Sequence, residues 1–226
     1  MTRLSAILLC AFGLLTGIAS AADSTVKRED IEWTQLWIPN LSKSDLPRVL
    51  LVGDSICNAY YDSVAQQLGG KAYVAKLATS ASLGDPAQLD QLTFLLKNYK
   101  FDVIHFNNGL HGFDYTEEQY QNDIPKLLKL FKKYAPKSKL IWALSTPMRK
   151  PAPNVAQFHP ENPRVTARNK IVAEVAAKEG IPVNDLNSLV KDHPEYWSDD
   201  GVHFKPEGQA VEAKQVAKCI LEALKK

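Results

Sequence analysis

Short apolar runs alternate along this chain with segments whose apolar positions recur at helical spacing. The first run, Val49-Leu50-Leu51-Val52, is ended by Gly53 and reads as a buried strand. Asn58 to Leu68 carries the helical period and closes on Gly69-Gly70. Ala72 to Ala78 reads as a second strand, after which Asp85 can cap, and Pro86 can start, a helix to about Asn98. Asp102 to Phe106 is a third strand. Thr116-Glu117-Glu118-Gln119 is a capping box that opens a helix to about Tyr134, with a kink or split expected at Pro125. Leu140 to Ser145 gives a fourth strand, and Val165 to Glu179 a helix ending at Gly180. Ile181 to Val183 is the fifth strand. A short helix over Leu186 to Asp192 and a longer one over Pro206 to Leu224 complete the pattern. Five alternations of strand and helix imply a parallel sheet covered on both faces.

Two segments precede the first strand. Arg3 followed by the apolar stretch Leu4 to Ile18 and by Ala19-Ser20-Ala21 has the layout of a cleaved signal peptide over residues 1–21, with an uncleaved anchor as the alternative. That layout implies a secreted or periplasmic protein with no membrane span in the mature chain. Residues 22–45 form an N-terminal arm. In it Trp33 and Trp37, four apart, can share a helix face that Pro39 stops; packing on the domain is expected over stacking on a sugar. Residues 46–226 suffice for one α/β domain.

With 45% hydrophobic and 23% charged residues the chain is globular rather than disordered. A formal net charge of +2 without blocks of one sign gives no basis for nucleic-acid binding. Beyond Cys10 in the leader, only Cys57 and Cys219 remain; export permits a disulfide, but spacing does not decide whether they pair. His105, inside a strand, and His193, beside Pro194, show no repeated ligand spacing, so no metal site is expected.

Gly53-Asp54-Ser55-Ile56 follows the first strand, which puts Ser55 at the carboxyl edge of the sheet and at the mouth of a helix. Ligands of open α/β sheets bind there. The hydroxyl can be a nucleophile with its own N–H left for an oxyanion, or Asp54 and Ser55 can simply cap the helix. Near the other end stands Asp200-Gly201-Val202-His203. An Asp three residues before a His can hold the imidazole in one tautomer and make it a base toward a serine. The early G-D-S-I and the late D-G-V-H together resemble the GDSL family, also called SGNH hydrolases, over roughly residues 46 to 224. The resemblance implies a three-layer α/β/α fold around a five-stranded parallel, flavodoxin-like sheet in the order 2-1-3-4-5. It also implies an esterase with Ser55 as nucleophile, His203 as base and Asp200 as its partner, and no metal or cofactor. The motif is not the G-x-S-x-G elbow, because Cys57 stands at the second glycine position.

Two blocks depart from the family pattern. The loop Thr79 to Pro86 lacks the glycine whose N–H would join the oxyanion hole, leaving Ala81 or Ser80 at that place. After the third strand, Asn107-Asn108-Gly109-Leu110-His111-Gly112 puts His111 where the family has an Asn oxyanion donor, while a competing register uses Asn108. His111 is expected to act as a neutral N–H donor. The oxyanion set is thus Ser55, Ala81, and His111 or Asn108. The Pro-rich stretch Thr146 to Pro163 and its neighbour offer Arg149, His159 and Arg164 as substrate contacts. The sequence points to an exported serine esterase acting on a small-acyl ester, an acetylated carbohydrate before a lipid. A catalytically decayed binding protein and an O-acyltransferase remain the alternatives.

Overall fold

The computed structural model describes residues 26–225; the segment 1–21, expected to be a signal peptide, lies outside them. The strands are β1 (Thr34–Trp37), β2 (Arg48–Gly53), β3 (Tyr73–Thr79), β4 (Val103–Phe106), β5 (Lys139–Ala143) and β6 (Val183–Asn184). The helices are α1 (Ser55–Gln67), α2 (Pro86–Asn98), α3 (Glu117–Tyr134), α4 (Asn162–Glu179), α5 (Leu186–Val190) and α6 (Pro206–Lys225). The sheet order is β1-β3-β2-β4-β5-β6, and every pairing from β3 to β6 is parallel. Those five strands carry the 2-1-3-4-5 order expected of a flavodoxin-like sheet.

Strand β2 is central because its side chains suit burial on both faces. Val49 and Leu51 join α1, α5 and α6 in one core, and Leu50 and Val52 join α2, α3 and α4 in the other. A residue-by-residue alternation of this kind is what a pleated strand between two apolar layers requires. Gly53 ends the strand where α1 turns back over the sheet. A Cβ there would stand 2.5 Å from Cys57 Cβ, so the close approach of strand and helix needs glycine.

The sixth strand is a correction. Residues 34–37 are not helical but pair antiparallel with β3, Thr34 opposite Thr79 and Trp37 opposite Lys76. The unpaired N–H and C=O groups along the β3 edge are satisfied by this strand, which outweighs the helical spacing of the two tryptophans. Trp33 is half-buried, whereas Trp37 is 59% exposed and does not pack on the domain as expected. Helix α3 also differs, running unsplit through Pro125. Pro125 faces solvent, where water can serve the carbonyl it leaves free, while Tyr120, Ile124, Leu127 and Phe131 bury the other face.

Cys57 and Cys219 are both free thiols. Burial pushes the Cys57 thiol up to about 12, so a thiolate nucleophile does not arise there. His105 is wholly buried in β4, hydrogen bonded to Asn184 through Nε2 at 3.0 Å, and burial lowers it to about 4. His193 pairs with Glu195 at 2.9 Å and stacks on Tyr196. Among the described residues no group of three or more His, Cys, Asp or Glu is arranged to hold a metal ion, and no helix is long and apolar enough to cross a membrane.

One charged residue sits in the apolar stripe of α6. Glu212 is fully buried, and neither carboxyl oxygen has a hydrogen-bond partner among the described residues. Burial, and secondarily the nearby Asp54, raises its carboxyl well above the usual range. In the unfolded chain it ionises near pH ~4.3. Above that pH the unfolded state releases a proton that the folded state keeps, so this group removes stability as pH rises toward its folded pKa. Glu212→Gln lacks that proton. Its stability relative to wild type should therefore rise between about pH 4 and about pH 8. Urea midpoints at the two pH values check this, and a constant difference would contradict it.

Candidate active site

The end of β2 and the start of α1 are built together. The Asp54 carboxylate accepts from Ile56 N–H at 2.9 Å and caps α1, so the capping role and the exposed hydroxyl coexist in adjacent residues. Ser55 is the first residue of the helix, where backbone N–H groups have no intrahelical acceptor. Its hydroxyl lies 2.8 Å from His203 Nε2.

The segment 198–203 is a tight turn that carries the other two residues. Asp200 Oδ2 accepts from His203 Nδ1–H at 2.7 Å. A carboxylate only accepts, so the ring hydrogen is on Nδ1 and Nε2 is left to accept from the Ser55 hydroxyl. Asp200 Oδ1 accepts three further hydrogen bonds, from Val202 N–H, His203 N–H and the Ser198 hydroxyl, at 2.8, 2.9 and 2.9 Å. Burial alone would raise the Asp200 carboxyl, but these donors outweigh it and hold the group well below the usual carboxylate range. Asp199, its neighbour, contributes a carbonyl to Ala152 N–H instead. Gly201 has φ 74°, and a Cβ on it would collide with the backbone of Arg149. That contact lets Arg149 N–H donate to Gly201 C=O at 2.7 Å and fastens the turn to the Pro-rich loop.

The three residues of that loop region expected to meet substrate do other things. Arg149 is buried between the rings of Phe158 and Trp197 and donates to the carbonyls of Val155, Ala156 and Lys191. Arg164 donates to Glu117 and to the carbonyls of Phe113 and Tyr115. His159 Nδ1 accepts from Glu161 N–H at 3.1 Å. Each guanidinium is spent on protein acceptors because the long loop must satisfy its own backbone.

The loops after β3 and β4 form the other wall. Ala81 N–H already donates to the Thr79 hydroxyl at 3.1 Å, and Ser80 N–H to Trp33 C=O at 3.1 Å. Ala81 can serve an oxyanion only by giving up that contact, so its expected role lacks a free donor here. Asn108 is buried, with Nδ2 donating to Ala81 C=O and Oδ1 accepting from Leu83 N–H. Its amide thus ties one loop to the other. Asn107 donates from Nδ2 to Ala143 C=O at 2.9 Å.

His111 is held from an unexpected direction. Its Nδ1 lies 3.0 and 2.9 Å from the two oxygens of Glu29, in the arm. Nδ1–H is the donor, and a neutral ring would then carry only a lone pair on Nε2. A neutral ring so held has no N–H left over for another acceptor. The loop backbone is fixed by Arg168, which is 1% exposed and donates to the carbonyls of Gly109, His111 and Gly112 at 3.2, 2.7 and 2.9 Å. Sequence reasoning missed Glu29 and Arg168. Arg168 left a signal, a charged residue in register with Val165, Val172 and Ala176 on the buried face of α4; Glu29 left none.

The GDSL-like lipase/acylhydrolase family profile matches residues 51–211, and the chain belongs to that family. The comparison with curated proteins gives no match. Among solved structures, the fold is similar to the M. smegmatis aryl esterase, with a TM-score of 0.64 at 16% identity over 78% of this chain and 99% of that one. A carbohydrate acetylesterase family member from Sinorhizobium meliloti gives 0.63 at 17% identity, over 80% and 100%. A carbohydrate esterase family 3 protein from Talaromyces cellulolyticus gives 0.63 at 16%, over 79% and 98%.

Replacing Arg168 by Met should leave the loop carbonyls without their donor, at about 1–3 kcal/mol for each group left buried and unpaired. With three carbonyls involved, a fall in stability of about 3 kcal/mol or more is expected, with faster amide hydrogen exchange at residues 109–112. Unchanged exchange there would show that the guanidinium does not fix the loop.

Proposed function

We propose that this chain is an exported serine esterase that hydrolyses esters of a small acyl group, with Ser55, His203 and Asp200 as its catalytic residues. The observation that carries the reading is the continuous hydrogen-bond chain from Asp200 Oδ2 through the His203 ring to Ser55 Oγ, at 2.7 and 2.8 Å. Ser55 Oγ attacks the ester carbonyl while His203 Nε2 takes its proton. Asp200 orients the ring and balances the imidazolium that forms. The proton then passes to the departing alcohol, leaving an acyl-enzyme, and His203 activates water to release the acid. Ser55 N–H, unpaired in the first turn of α1, supports the oxyanion of both tetrahedral intermediates.

A cavity of about 450 Å³ lies among Leu140, Ile181, Val183 and Ala223, at the amino ends of β5 and β6, the sheet edge opposite Ser55, and does not serve the nucleophile. Two of the structurally similar proteins are carbohydrate esterases, which favours an acetylated sugar as the substrate of this chain too.

Ser55→Ala should abolish turnover of p-nitrophenyl acetate and labelling by a fluorophosphonate while leaving the urea midpoint unchanged. Asp200→Asn should lower kcat by up to about 10⁴, the figure for the corresponding change in another serine triad, whereas Asp199→Asn should be mild. Full activity of Ser55→Ala would refute the reading. Preferential transfer to an added alcohol over water would make the protein an acyltransferase with the same residues, and absence of labelling would make it a binding protein. Export predicts a mature chain beginning near Ala22, checked by intact mass of secreted or periplasmic material; retention of Met1 would point to an anchor.

A further inference from the structure

The wall of the site that contains His111 is closed by a segment preceding the matched family region. Residues 27–33 of the arm are tied to it along their length. Lys27 N–H donates to the Tyr115 hydroxyl at 2.7 Å, and Arg28 pairs with Asp85 at 3.0 Å. The Ser80 hydroxyl donates to Glu32 at 2.7 Å, and Trp33 C=O accepts from Ser80 N–H at 3.1 Å. Between these ties, Glu29 holds the His111 ring through Nδ1, and its Oε1 also accepts from Gly112 N–H at 3.2 Å. The Trp33 ring stands edge-on to the imidazole at 6.4 Å between centroids. Glu29 is thus clamped to a ring and to the backbone beside it.

We propose that Glu29 is a positioning residue for the esterase reaction, holding His111 as an imidazolium that offers Nε2–H to the developing oxyanion. The inference rests on the esterase reading above. Its logic is a count of hydrogens. The carboxylate accepts, so one ring hydrogen is on Nδ1, and Nε2 can donate only if the ring carries a second. A neutral ring would turn a lone pair toward the oxyanion and oppose the reaction. The charged ring needs a counter-charge. Arg168, 2.7 Å from the His111 carbonyl, opposes a second cation, and Glu117 at 3.4 Å offsets Arg168 in part. Lys27, Arg28 and Asp85 engage one another or the loop, and Glu32 engages Ser80. Glu29 is the acid in direct contact with the ring. His203 becomes cationic during acylation with Asp200 as its own carboxylate, so each imidazolium has a separate anion and their repulsion is offset. His111 lies at the same sheet edge as Ser55. Asn107, which begins its loop, donates its N–H to Val52 C=O, and Leu110 packs with the core that contains Ile56 and Phe204.

The test uses the mature protein, its Glu29→Gln and His111→Asn variants and the double variant, with p-nitrophenyl acetate kinetics and ¹⁵N-histidine NMR. Gln keeps the acceptor for Gly112 N–H but removes the charge, and its own N–H can face Nδ1, which leaves a neutral ring with a weaker Nε2–H donor. Glu29→Gln should lower kcat on the order of tenfold or more with little change in KM, since a hydrogen bond from a charged donor is roughly twice as strong as a neutral one. The His111 signals should move from doubly protonated toward the neutral ring. His111→Ala should lose about 10²–10³ in kcat, the cost of one oxyanion donor, and His111→Asn should recover much of it. An Asn donor needs no counter-charge, so Glu29→Gln should have no further effect on kcat in the His111→Asn background. Wild-type kcat and wild-type ring signals in Glu29→Gln would overturn the inference while leaving the esterase reading intact. An equal loss in the His111→Asn background would also overturn it, by showing a merely structural clamp. A wild-type protein with neither turnover nor Ser55 labelling would instead remove the esterase reading, and with it the role assigned here.

Discussion

Ser55 and His203 stand 148 residues apart in the chain and 2.8 Å apart in space, and the packing of α1 on α6 is what brings them together. Helix α1 begins at Ser55, and α6 begins three residues after His203. Both lie on one face of the sheet, with Ile56, Tyr60 and Val64 in the same core as Ala213, Val216, Ala217 and Ile220. The helices run the same way. The carboxyl end of α6 reaches the start of β5, where Lys139 Nζ donates to Ala223 C=O at 2.9 Å, so its amino end lies at the edge where α1 starts. Burying two apolar stripes therefore sets the position of two polar groups. The cost of closing so long a loop rises only as the logarithm of its length, and the core meets it without a disulfide.

Around that packed layer, the polar groups fall into two kinds. Some are satisfied at every atom the geometry allows, as Asp200 is by four donors, and they fix one orientation of a functional ring. Others are buried with partners missing. Glu212 has none, and Asp54 leaves Oδ2 unpaired while Oδ1 caps α1. A buried, unpaired carboxyl costs stability unless it stays neutral. The fold carries that cost directly behind the nucleophile turn, where Glu212, Asp54, Cys57 and Tyr60 influence one another electrostatically. Sites of function are where such departures from a fully satisfied interior concentrate.

The alternation of strands and helices was legible because each element obeyed its own periodicity. The runs ending at Gly53, Thr79 and Phe106 announce strands, and the capping box at Thr116 announces a helix that survives Pro125. The grouping of Ser55, Asp200 and His203 was legible as well, because Asp200 adjoins Gly201 and Ser55 and His203 each stand two residues from a glycine where chain direction changes. β1 was not. Its residues carry a spacing compatible with a helix, and only the unsatisfied edge of β3, distant in sequence, makes it a strand. The hydrogen bonding of the loops after β3 and β4 escaped for a related reason. Whether Ala81 N–H is free depends on a threonine hydroxyl two residues back, and whether His111 can donate depends on an acid 82 residues away. Composition and local pattern contain neither fact.

That dependence bears on how the family's site is assembled in this chain. The family match begins at residue 51, yet Trp33 and Ser80 exchange hydrogen bonds, and Glu29 and Glu32 both reach the loops after β3 and β4. An asparagine at the place of His111 would offer a neutral amide hydrogen and would need nothing from outside the domain. A histidine that gives Nδ1–H to a carboxylate can donate from Nε2 only as the charged ring, and no acid of the matched segment contacts His111. The substitution at 111 and the docking of the arm are thus physically coupled. A chain with His111 and no Glu29 would leave the ring free to take either tautomer, with at most a neutral Nε2–H to offer. A chain with Glu29 and an asparagine would bury part of a charge against a neutral amide for no electrostatic return. The two residues make sense as one hydrogen-bonded unit spanning 82 positions that ties the arm to the loop after β4.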